Sequence, residues 1–454
     1  MRKVVSYELA DVSSFKKQLV AYAKTLSRFC ILSSNEWQNS SSELIAGFDS
    51  VDEIIPIENS LEALKTFYEK KKDWLFGFLS YDLRNEIEEP STSSLLLDKE
   101  KGARGEVCFP TMHFFQPKFV FVVRENKVEI HFLPEVSSEE EVKNLFAEIF
   151  SCPLSPAPCP FPLEISQKIS KEEYIQTIKR IKNHIHRGDI YEMNYCMEFF
   201  SEEAEINPAE VFQILNESSR APFSAFYRTG DNYLMCASPE RFLKKEGKKI
   251  ISQPIKGTAR RGKTISEDME LKRLLQQNKK DRSENVMIVD LVRNDLSRTC
   301  DNVKVDELFG VRSFKQWHQM ISTVSGEMKE GVHFTDVIKS SFPMGSMTGA
   351  PKIRAMEFIE QYEKTKRGLY SGAVGYITPD GNFDFNVVIR SILYNSFSKY
   401  LSFSVGSAIT ANSIPENEYE ECLLKAKGMF LALNSKNELA ARSFNIPLFH
   451  HSHA

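Results

Sequence analysis

The sequence lacks the patterns that would assign it to a membrane or to a nucleic acid. No hydrophobic run approaches the roughly 20 residues that span a bilayer. Residues 1–10 mix charged and apolar positions, without the apolar core of a signal peptide. The formal net charge is only -4 at pH 7, so no large positive field would attract nucleic acid or an anionic membrane. We therefore expect a cytoplasmic protein with neither kind of partner.

Cysteines are present, but none has the spacing of a metal or redox pair. The absence of any C-x-x-C motif argues against a zinc ribbon and against a thioredoxin-type site. We expect free thiols in a reducing compartment. The eight cysteines stand at positions 30, 108, 152, 159, 196, 236, 300 and 422.

The composition is that of an ordinary globular protein, with 42% hydrophobic and 26% charged residues in a chain of 454. Strand patterns alternate with amphipathic helices, one of them predicted to begin at the Ser170 cap. Residues 151–162 contain five prolines, which predicts an extended surface crossing between two halves of the chain. The predicted strands include 29–32, 76–81, 119–123, 128–133, 195–200, 223–227 and 233–237.

The segment P-I-K-G-T, residues 254–258, contains the first candidate for chemistry. Lys256 stands between the apolar Ile255 and Gly257, shortly after a predicted strand. A surface lysine in a strand-to-loop turn would have the same local pattern. In a dry pocket, by contrast, desolvation favours the neutral amine and turns lysine into a nucleophile or a base. Sixteen positions earlier, Glu240 of S-P-E-R-F is predicted at a junction between a strand and a turn.

Three glutamates are candidates for a metal site. Glu284 lies in a predicted helix over 281–298 that mixes apolar and acidic residues. Glu418 and Glu421 share one face of a second helix, predicted to begin with a capping box at Ser413. Water compensates these like charges on an exposed face, whereas a buried face requires a cation. Oxygen ligands favour Mg²⁺ over zinc, so a solvated acidic surface and a Mg²⁺ site are both compatible with the pattern.

Two further segments are compatible with anion binding. The glycine-containing loop 342–352 leads into an apolar helix, so free backbone N–H groups could face a carboxylate, although a well-capped turn has the same pattern. Arg390 is predicted within an apolar strand over 385–391, where an unpaired charge would be costly. A ligand carboxylate would compensate that charge, as would a buried Asp or Glu.

Taken together, these segments resemble the motifs of the chorismate-utilising enzymes, densely over residues 165–430. The resemblance implies an α+β fold with two large packed antiparallel β-sheets flanked by helices. It also implies an N-terminal region over 1–150 packed intimately with the catalytic region over 165–430, and a C-terminal tail over 431–454. The motifs are S-P-E-R-F, P-I-K-G-T, E-N-V-M-I-V-D-L-V-R-N-D, G-S-M-T-G-A-P-K, G-A-V-G-Y, V-V-I-R-S and E-N-E-Y-E-E.

Within this family, Lys256 resembles the lysine of the aminodeoxychorismate branch. The corresponding segment of anthranilate synthases is similar to P-I-A-G-T, with alanine in place of the lysine. The resemblance implies that Lys256 attacks C2 of chorismate as the C4 hydroxyl leaves. Ammonia would then add at C4 and expel the lysine, giving 4-amino-4-deoxychorismate for p-aminobenzoate and folate biosynthesis. Glu240 would be the general acid or base, and Mg²⁺ would be held by Glu284 and Glu421 with Glu418 nearby. The implied substrate-binding residues are Thr348, Tyr376, Arg390, Gly406 and Ser407.

Some positions depart from the family pattern. Glu192 stands where ammonia-using members often have glutamine, Ser407 and Ala408 replace a glycine pair, and Gln319 falls where some members have histidine. Water-adding relatives carry a lysine at the position of Glu192, so its absence argues against isochorismate or salicylate synthesis. The roles of Glu192, His318 and Gln319 stay open.

The chain shows no G-x-C-x-G glutaminase motif, so the resemblance implies that a separate glutamine amidotransferase subunit supplies the ammonia. Two alternatives remain. One is an anthranilate synthase large subunit, which Lys256 disfavours. The other is a catalytically silent regulatory paralogue that binds tryptophan near residues 31–34, which the joint presence of the acidic, lysine and arginine positions disfavours.

Overall fold

The computed structural model describes residues 1–35, 37, 42–87, 109–153, 163–314 and 317–433. The predicted proline-rich crossing from residue 154 onward, two of the cysteines and the tail from residue 434 lie outside this part. The described strands are β1 Lys3–Glu8, β2 Arg28–Ser33, β3 Leu44–Ile54, β4 Leu75–Leu79, β5 Met112–Arg124, β6 Lys127–Phe132, β7 Ser166–Gln167, β8 Glu192–Ser201, β9 Phe223–Thr229, β10 Asn232–Ser238, β11 Arg241–Glu246, β12 Lys249–Gln253, β13 Ile255–Arg260, β14 Cys300–Ser313, β15 Trp317–Met328, β16 Gly349–Ala350, β17 Ala373–Ile377, β18 Phe383–Val387, β19 Ser391–Asn395 and β20 Leu401–Ile409.

The helices in the same ranges alternate with the strands. They are α1 Val12–Ala23, α2 Ser60–Lys71, α3 Arg84–Ile87, α4 Glu139–Phe150, α5 Lys171–Arg187, α6 Pro208–Ser219, α7 Ile265–Gln277, α8 Lys279–Ser297, α9 Phe334–Ser341, α10 Lys352–Tyr362 and α11 Pro415–Ala432, with short 3-10 helices at Tyr81–Leu83 and Gly345–Met347.

The strands form two antiparallel sheets that are joined by hydrogen bonds through the long strands β3 and β5. The first sheet follows the order β8, β20, β19, β10, β9, β2 and β3. The second follows β4, β17, β18, β11, β12 and β15, with β13 and β14 also paired to β15. β5 pairs with β3 and, through its first residues, with β4.

Side chains from both sheets pack against each other in one hydrophobic cluster, which includes Phe78, Phe115, Tyr227 and Val374. Because side chains alternate along a strand, each sheet also presents apolar residues on its outer face. Helices α4, α5, α6 and α11 cover the outer face of the first sheet, and α2, α8 and α9 cover that of the second. The predicted α+β fold of two packed antiparallel sheets flanked by helices is confirmed.

Of the two helix caps predicted from the sequence, one is confirmed and one is wrong. The cap at Ser170 is present, since its side chain accepts a hydrogen bond from the N–H of Glu173. The capping box predicted at Ser413 is wrong. The hydroxyl of Ser413 instead accepts from the N–H of Thr410 in the preceding turn, so α11 begins after an Ile414 cap that makes no side-chain hydrogen bond.

Strands from residues 1–150 and from residues 165–430 pair directly, β2 with β9 and β4 with β17. The exact boundaries at 150, 165 and 430 stay predictions. The six described cysteines are free thiols. Among the described helices, none combines the length and the apolar character that crossing a membrane requires.

Candidate active site

The P-I-K-G-T segment forms a bulged strand at the edge of the second sheet. Ile255 pairs with Ile321 and Thr258 with Gln319, so β13 has one more residue than β15 between these pairs. Such a bulge redirects a side chain. Gly257 has a φ of 88°, and a Cβ there would lie 3.0 Å from the side chain of Asp281 in α8. The glycine therefore permits both the left-handed backbone and the close approach of α8 beside Lys256.

Lys256 is buried, with 8% exposure, and its Nζ donates a 2.6 Å hydrogen bond to Oε1 of Glu192 at the start of β8. Burial by itself would lower the pKa of Lys256, but the carboxylates of Glu192 and Glu284 outweigh burial and raise the pKa above its ordinary value. Of the two settings compatible with the sequence, the buried one is present. The neutral amine expected there is not the state that these surroundings favour.

Glu240 lies between β10 and β11, where its Oε1 accepts a 2.6 Å hydrogen bond from the hydroxyl of Ser346. Burial raises the pKa of Glu240 to about 7, against the lowering effects of Ser346, Lys256 and the N–H of Ile255. A carboxyl group with a pKa near 7 can both donate and accept a proton at neutral pH. We call the group formed by Lys256, Glu192 and Glu240 the amine pocket.

Glu284 and Glu418 face a second lysine, and we call Glu284, Glu418 and Lys280 the acidic cluster. The Nζ of Lys280 lies 3.9 Å from Oε1 of Glu284 and 3.5 Å from Oε1 of Glu418. Burial raises the pKa of Glu284 to about 7, although Lys256 lowers it. The acidic cluster adjoins the amine pocket, because the charges of Lys256 and Glu284 act on each other.

Within the described ranges, no group of three or more acidic, His or Cys side chains is arranged to hold a metal ion. The carboxylates of the acidic cluster surround an ammonium group instead. Their chemistry nevertheless fits Mg²⁺, because they offer only oxygen donors and because the buried Oε1 of Glu284 has no hydrogen-bond partner.

Glu421 lies one turn after Glu418 in α11 and forms an ion pair with Lys425, with Nζ 2.7 Å from Oε1. Lys425 also donates a 2.8 Å hydrogen bond to the carbonyl of Gly406 in β20. Burial would raise the pKa of Glu421, but Lys425 and Lys280 lower it below its ordinary value. Lys425 thus fixes α11 on β20 and holds Glu421 as a carboxylate.

Arg390 lies outside the strand predicted for it. β18 ends at Val387, and Arg390 occupies the connection to β19 with a φ of 52°. Burial lowers the pKa of Arg390, while the charges of Tyr370 and Glu421 raise it. Within the described part of the chain its guanidinium has no hydrogen bond or ion pair, so it remains available to an anion.

Tyr376 packs against the hydrophobic cluster between the two sheets rather than beside Arg390. Its ring packs 5.8 Å from Trp74 and 6.1 Å from Phe76, centroid to centroid, in the cluster between the sheets. Tyr370 is the tyrosine beside Arg390. Both tyrosines flank the same G-A-V-G sequence, and the substrate contact predicted for Tyr376 stays a prediction.

The hydroxyl groups of Thr348 and Ser407 have protein partners. Thr348 donates to the carbonyl of Met344 at 3.1 Å, and Ser407 hydrogen-bonds to Tyr174 across 3.1 Å. Gly406 and Ser407 lie in the ladder between β20 and β8, and a Cβ at Gly406 would approach the Sγ of Cys196 to 2.5 Å. Substrate contacts of these residues stay predictions.

His318 and Gln319 both lie in β15 and contact neighbouring elements of the protein. His318 is buried and hydrogen-bonds to Ser313 through Nδ1 and to Asp268 through Nε2, both at 2.9 Å. It therefore connects β15 to α7 rather than facing the amine pocket. Gln319 pairs with Thr258 on the bulged strand.

Sequence reasoning missed four residues of the site: Ser346, Tyr370, Lys280 and Lys425. Each lies within a few positions of a residue that was singled out. Lys280 and Glu284 are four apart on one helix, as are Glu421 and Lys425, and this i,i+4 spacing is a usable signal for an ion pair. Ser346 and Tyr370 had no such signal, because their partners are distant in sequence.

A buried lysine paired with a glutamate, a second glutamate with a pKa near 7, and an unpaired arginine define an enzyme site for a small anionic substrate. Comparison with known proteins identifies the family. The chorismate binding enzyme model matches residues 27–431. The chain belongs to the chorismate binding enzyme family.

Individual relatives agree with this assignment. Over 374 residues the chain is 31% identical to aminodeoxychorismate synthase component 1 of Bacillus subtilis, covering 80% of this chain and 77% of the relative. The crystal structure of anthranilate synthase component I from Streptococcus pneumoniae superimposes with a TM-score of 0.69 at 25% identity, covering 89% of this chain and 92% of that one. MenF, the menaquinone-specific isochorismate synthase from Escherichia coli, shares the fold with a TM-score of 0.75 at 16% identity, covering 95% of each chain.

Proposed function

We propose that this chain is the large subunit of an aminodeoxychorismate synthase. It converts chorismate and ammonia to 4-amino-4-deoxychorismate in the biosynthesis of p-aminobenzoate and folate. The observation that carries the proposal is the buried Lys256 on β13, which donates a hydrogen bond to Glu192. The charge of Lys256 also acts on Glu240. The name of the Bacillus subtilis relative supports the same activity.

The amine pocket supplies the groups that the reaction requires. Lys256 must first lose a proton, and Glu192 is the carboxylate within hydrogen-bond reach to accept it. The neutral amine then forms a bond to C2 of chorismate while the C4–O bond breaks. Glu240, protonated in part because its pKa is about 7, gives its proton to the leaving hydroxyl, which departs as water.

The second half returns the site to its starting state. Ammonia forms a bond to C4, and the bond between C2 and the nitrogen of Lys256 breaks, releasing the lysine as a neutral amine that takes back the proton accepted by Glu192. The new ammonium group on C4 gives a proton to the carboxylate of Glu240, which is again an acid for the next turnover. Lys256 therefore acts as a nucleophile and as a leaving group.

We assign Glu284, Glu418 and Glu421 as the residues that would hold Mg²⁺. When bound, Mg²⁺ would neutralise and orient a carboxylate of the substrate. Arg390 would pair with a substrate carboxylate because its partly buried guanidinium lacks a described protein partner, and a charge removed from water without a partner is costly. Thr348 and the backbone of Gly406 and Ser407 would complete the binding site.

We propose that a separate glutamine amidotransferase subunit supplies the ammonia, in line with the designation of several relatives as component 1. We place the reaction in the cytoplasm, in agreement with the six free thiols. Anthranilate synthesis is the less favoured activity, and the structural likeness to an anthranilate synthase component is the reason to test it.

The product decides between the two activities. Purified protein with chorismate, Mg²⁺ and ammonium should release no anthranilate and should yield p-aminobenzoate once an aminodeoxychorismate lyase is added. The lyase without the protein is the control. Anthranilate as the main product would overturn the proposal, and turnover to either product would exclude a silent paralogue.

A further inference from the structure

Lys280 occupies the centre of the acidic cluster without a close bond to either glutamate. Lys280 and Glu284 lie one turn apart on α8, whereas Glu418 belongs to α11. The distances of 3.9 and 3.5 Å from its Nζ exceed those of normal N–H···O hydrogen bonds. The ammonium group therefore lies between two carboxylates and is shared by them.

The other lysines near the cluster have partners of their own. Lys256 donates a 2.6 Å hydrogen bond to Glu192, and Lys425 bonds to Glu421 and to the carbonyl of Gly406. Among the described cations around the cluster, Lys280 is thus the one shared by Glu284 and Glu418. Since buried carboxylates are destabilising without a compensating charge, its ammonium group, together with the charge of Lys256 acting on Glu284, permits them to lie together.

A Mg²⁺ ion and this ammonium group cannot share the site as it stands. Mg²⁺ requires oxygen ligands at about 2.0–2.1 Å, so an ion bound between Glu284 and Glu418 would lie in the space that the Nζ occupies. Two cations at such separation repel strongly. The side chain of Lys280 is 32% exposed, and a long flexible lysine can turn its charge into water.

We infer that Lys280 is a tethered counter-cation of the acidic cluster, which neutralises Glu284 and Glu418 in the metal-free protein and moves out when Mg²⁺ enters. This inference rests on the Mg²⁺ site of the proposed function. It gives Lys280 a role in setting the affinity for Mg²⁺, and no role in the chemistry of the amine pocket.

Calorimetric titration with Mg²⁺ alone tests the inference without substrate. Lys280→Met should bind Mg²⁺ about tenfold more tightly than the wild type, or better, because no ammonium group competes for the site. Lys279→Met is the matched control, since the exposed Lys279 is the neighbouring residue on α8 and its removal changes the net charge equally. Unchanged or weaker binding by Lys280→Met would overturn the inference.

Amine labelling of the wild-type protein gives a second measurement that needs no variant. Mg²⁺ should increase the acylation of Lys280 by a succinimidyl ester, measured by peptide mass spectrometry, because its amine moves into water. Labelling of Lys279 should stay constant. Labelling of Lys280 that is unchanged or reduced by saturating Mg²⁺ would contradict the displacement.

The outcomes separate this inference from the proposed function. Lack of Mg²⁺ binding by both the wild type and Lys280→Met would contradict the metal site itself and the inference with it. Equal binding by both proteins would contradict the role of Lys280 alone. The identity of the amination product affects neither measurement.

Discussion

Two lysines of this chain lie among buried glutamates, Lys256 in the amine pocket and Lys280 in the acidic cluster. Lys256 is almost fully buried and makes one short hydrogen bond, 2.6 Å to Glu192. Lys280 is about one-third exposed and stays at least 3.5 Å from Glu284 and Glu418. The pairing of lysine with glutamate thus occurs once as a short hydrogen bond that orients the amine, and once as longer contacts that do not orient it.

The difference matches the two tasks that we propose. A nucleophile must approach one carbon atom, so a short bond that orients its nitrogen is an advantage. A counter-ion needs only its charge and must be able to leave, so a long, shared contact near solvent suffices. Substitutions in the two groups should therefore differ in the quantity they change, which is turnover for the amine pocket and Mg²⁺ affinity for the acidic cluster.

Lys256→Ala should have the largest effect, because it removes the proposed nucleophile. We expect turnover to fall more than about 10³-fold and the chorismate-derived adduct, measured by protein mass spectrometry, to disappear. An adduct of unchanged amount in the variant would locate the nucleophile elsewhere.

The same substitution leaves Glu192 buried without its cation, which costs about 3–5 kcal/mol of unfolding free energy. The double variant Lys256→Met with Glu192→Gln controls for this, since it removes both charges. Denaturant unfolding should show its stability partly restored, while turnover stays absent. Recovery of activity in the double variant would contradict a nucleophilic Lys256.

Glu240→Gln should lower turnover by roughly 10²–10⁴-fold, the range for loss of a general acid or base. The pKa of about 7 for Glu240 predicts a limb near pH 7 in the rate profile of the Mg²⁺-saturated enzyme. Glu284 has a similar pKa without metal, but a bound cation would lower it and remove its limb from this range. The Glu240→Gln variant should lack the limb near pH 7. If the limb persists in this variant, it belongs to another titrating group.

The family motifs were sufficient to predict the fold and to single out Lys256 and the glutamates of both groups, because each motif brings chemistry-bearing residues at fixed offsets, but they missed Lys280. They were not sufficient for relationships between distant segments. Glu192 was identified as a departure from the family pattern, yet its bond to Lys256 joins residues 64 positions apart. The raised pKa of Lys256 depends on that bond, so the sequence alone suggested the opposite direction.

Backbone detail was equally inaccessible to sequence patterns. The apolar residues around Arg390 predict a strand, but the chain turns there with a left-handed φ of 52°. Tyr370 and Tyr376 differ in position because β17 directs the side chain of Tyr376 between the sheets, while Tyr370 precedes the strand and stays near Arg390. Such choices follow from tertiary packing, which local propensity does not contain.

Glu284→Gln should change the affinity of the acidic cluster for Mg²⁺ in the direction opposite to Lys280→Met. Loss of an anionic oxygen donor should weaken Mg²⁺ binding by at least about tenfold, the lower range for changes around a metal site. Titration with Mg²⁺ alone measures this effect. Asp290→Asn, an exposed carboxylate on the same helix, is the matched control. Equal weakening by both would indicate a general effect of charge rather than ligation.

Glu192→Gln should have its clearest effect on pH dependence. The Glu192 carboxylate helps to raise the pKa of Lys256, so an amide there should lower that pKa and increase the neutral fraction of the amine at a given pH. The acid limb of adduct formation should therefore move to lower pH, by about one to two units. Rates of adduct formation across pH measure the shift, and Glu198→Gln on the same strand controls for loss of a carboxylate. A limb that stays in place would mean that Glu192 does not govern the protonation of Lys256, and the contrast between a directed and a shared lysine would then rest on geometry alone.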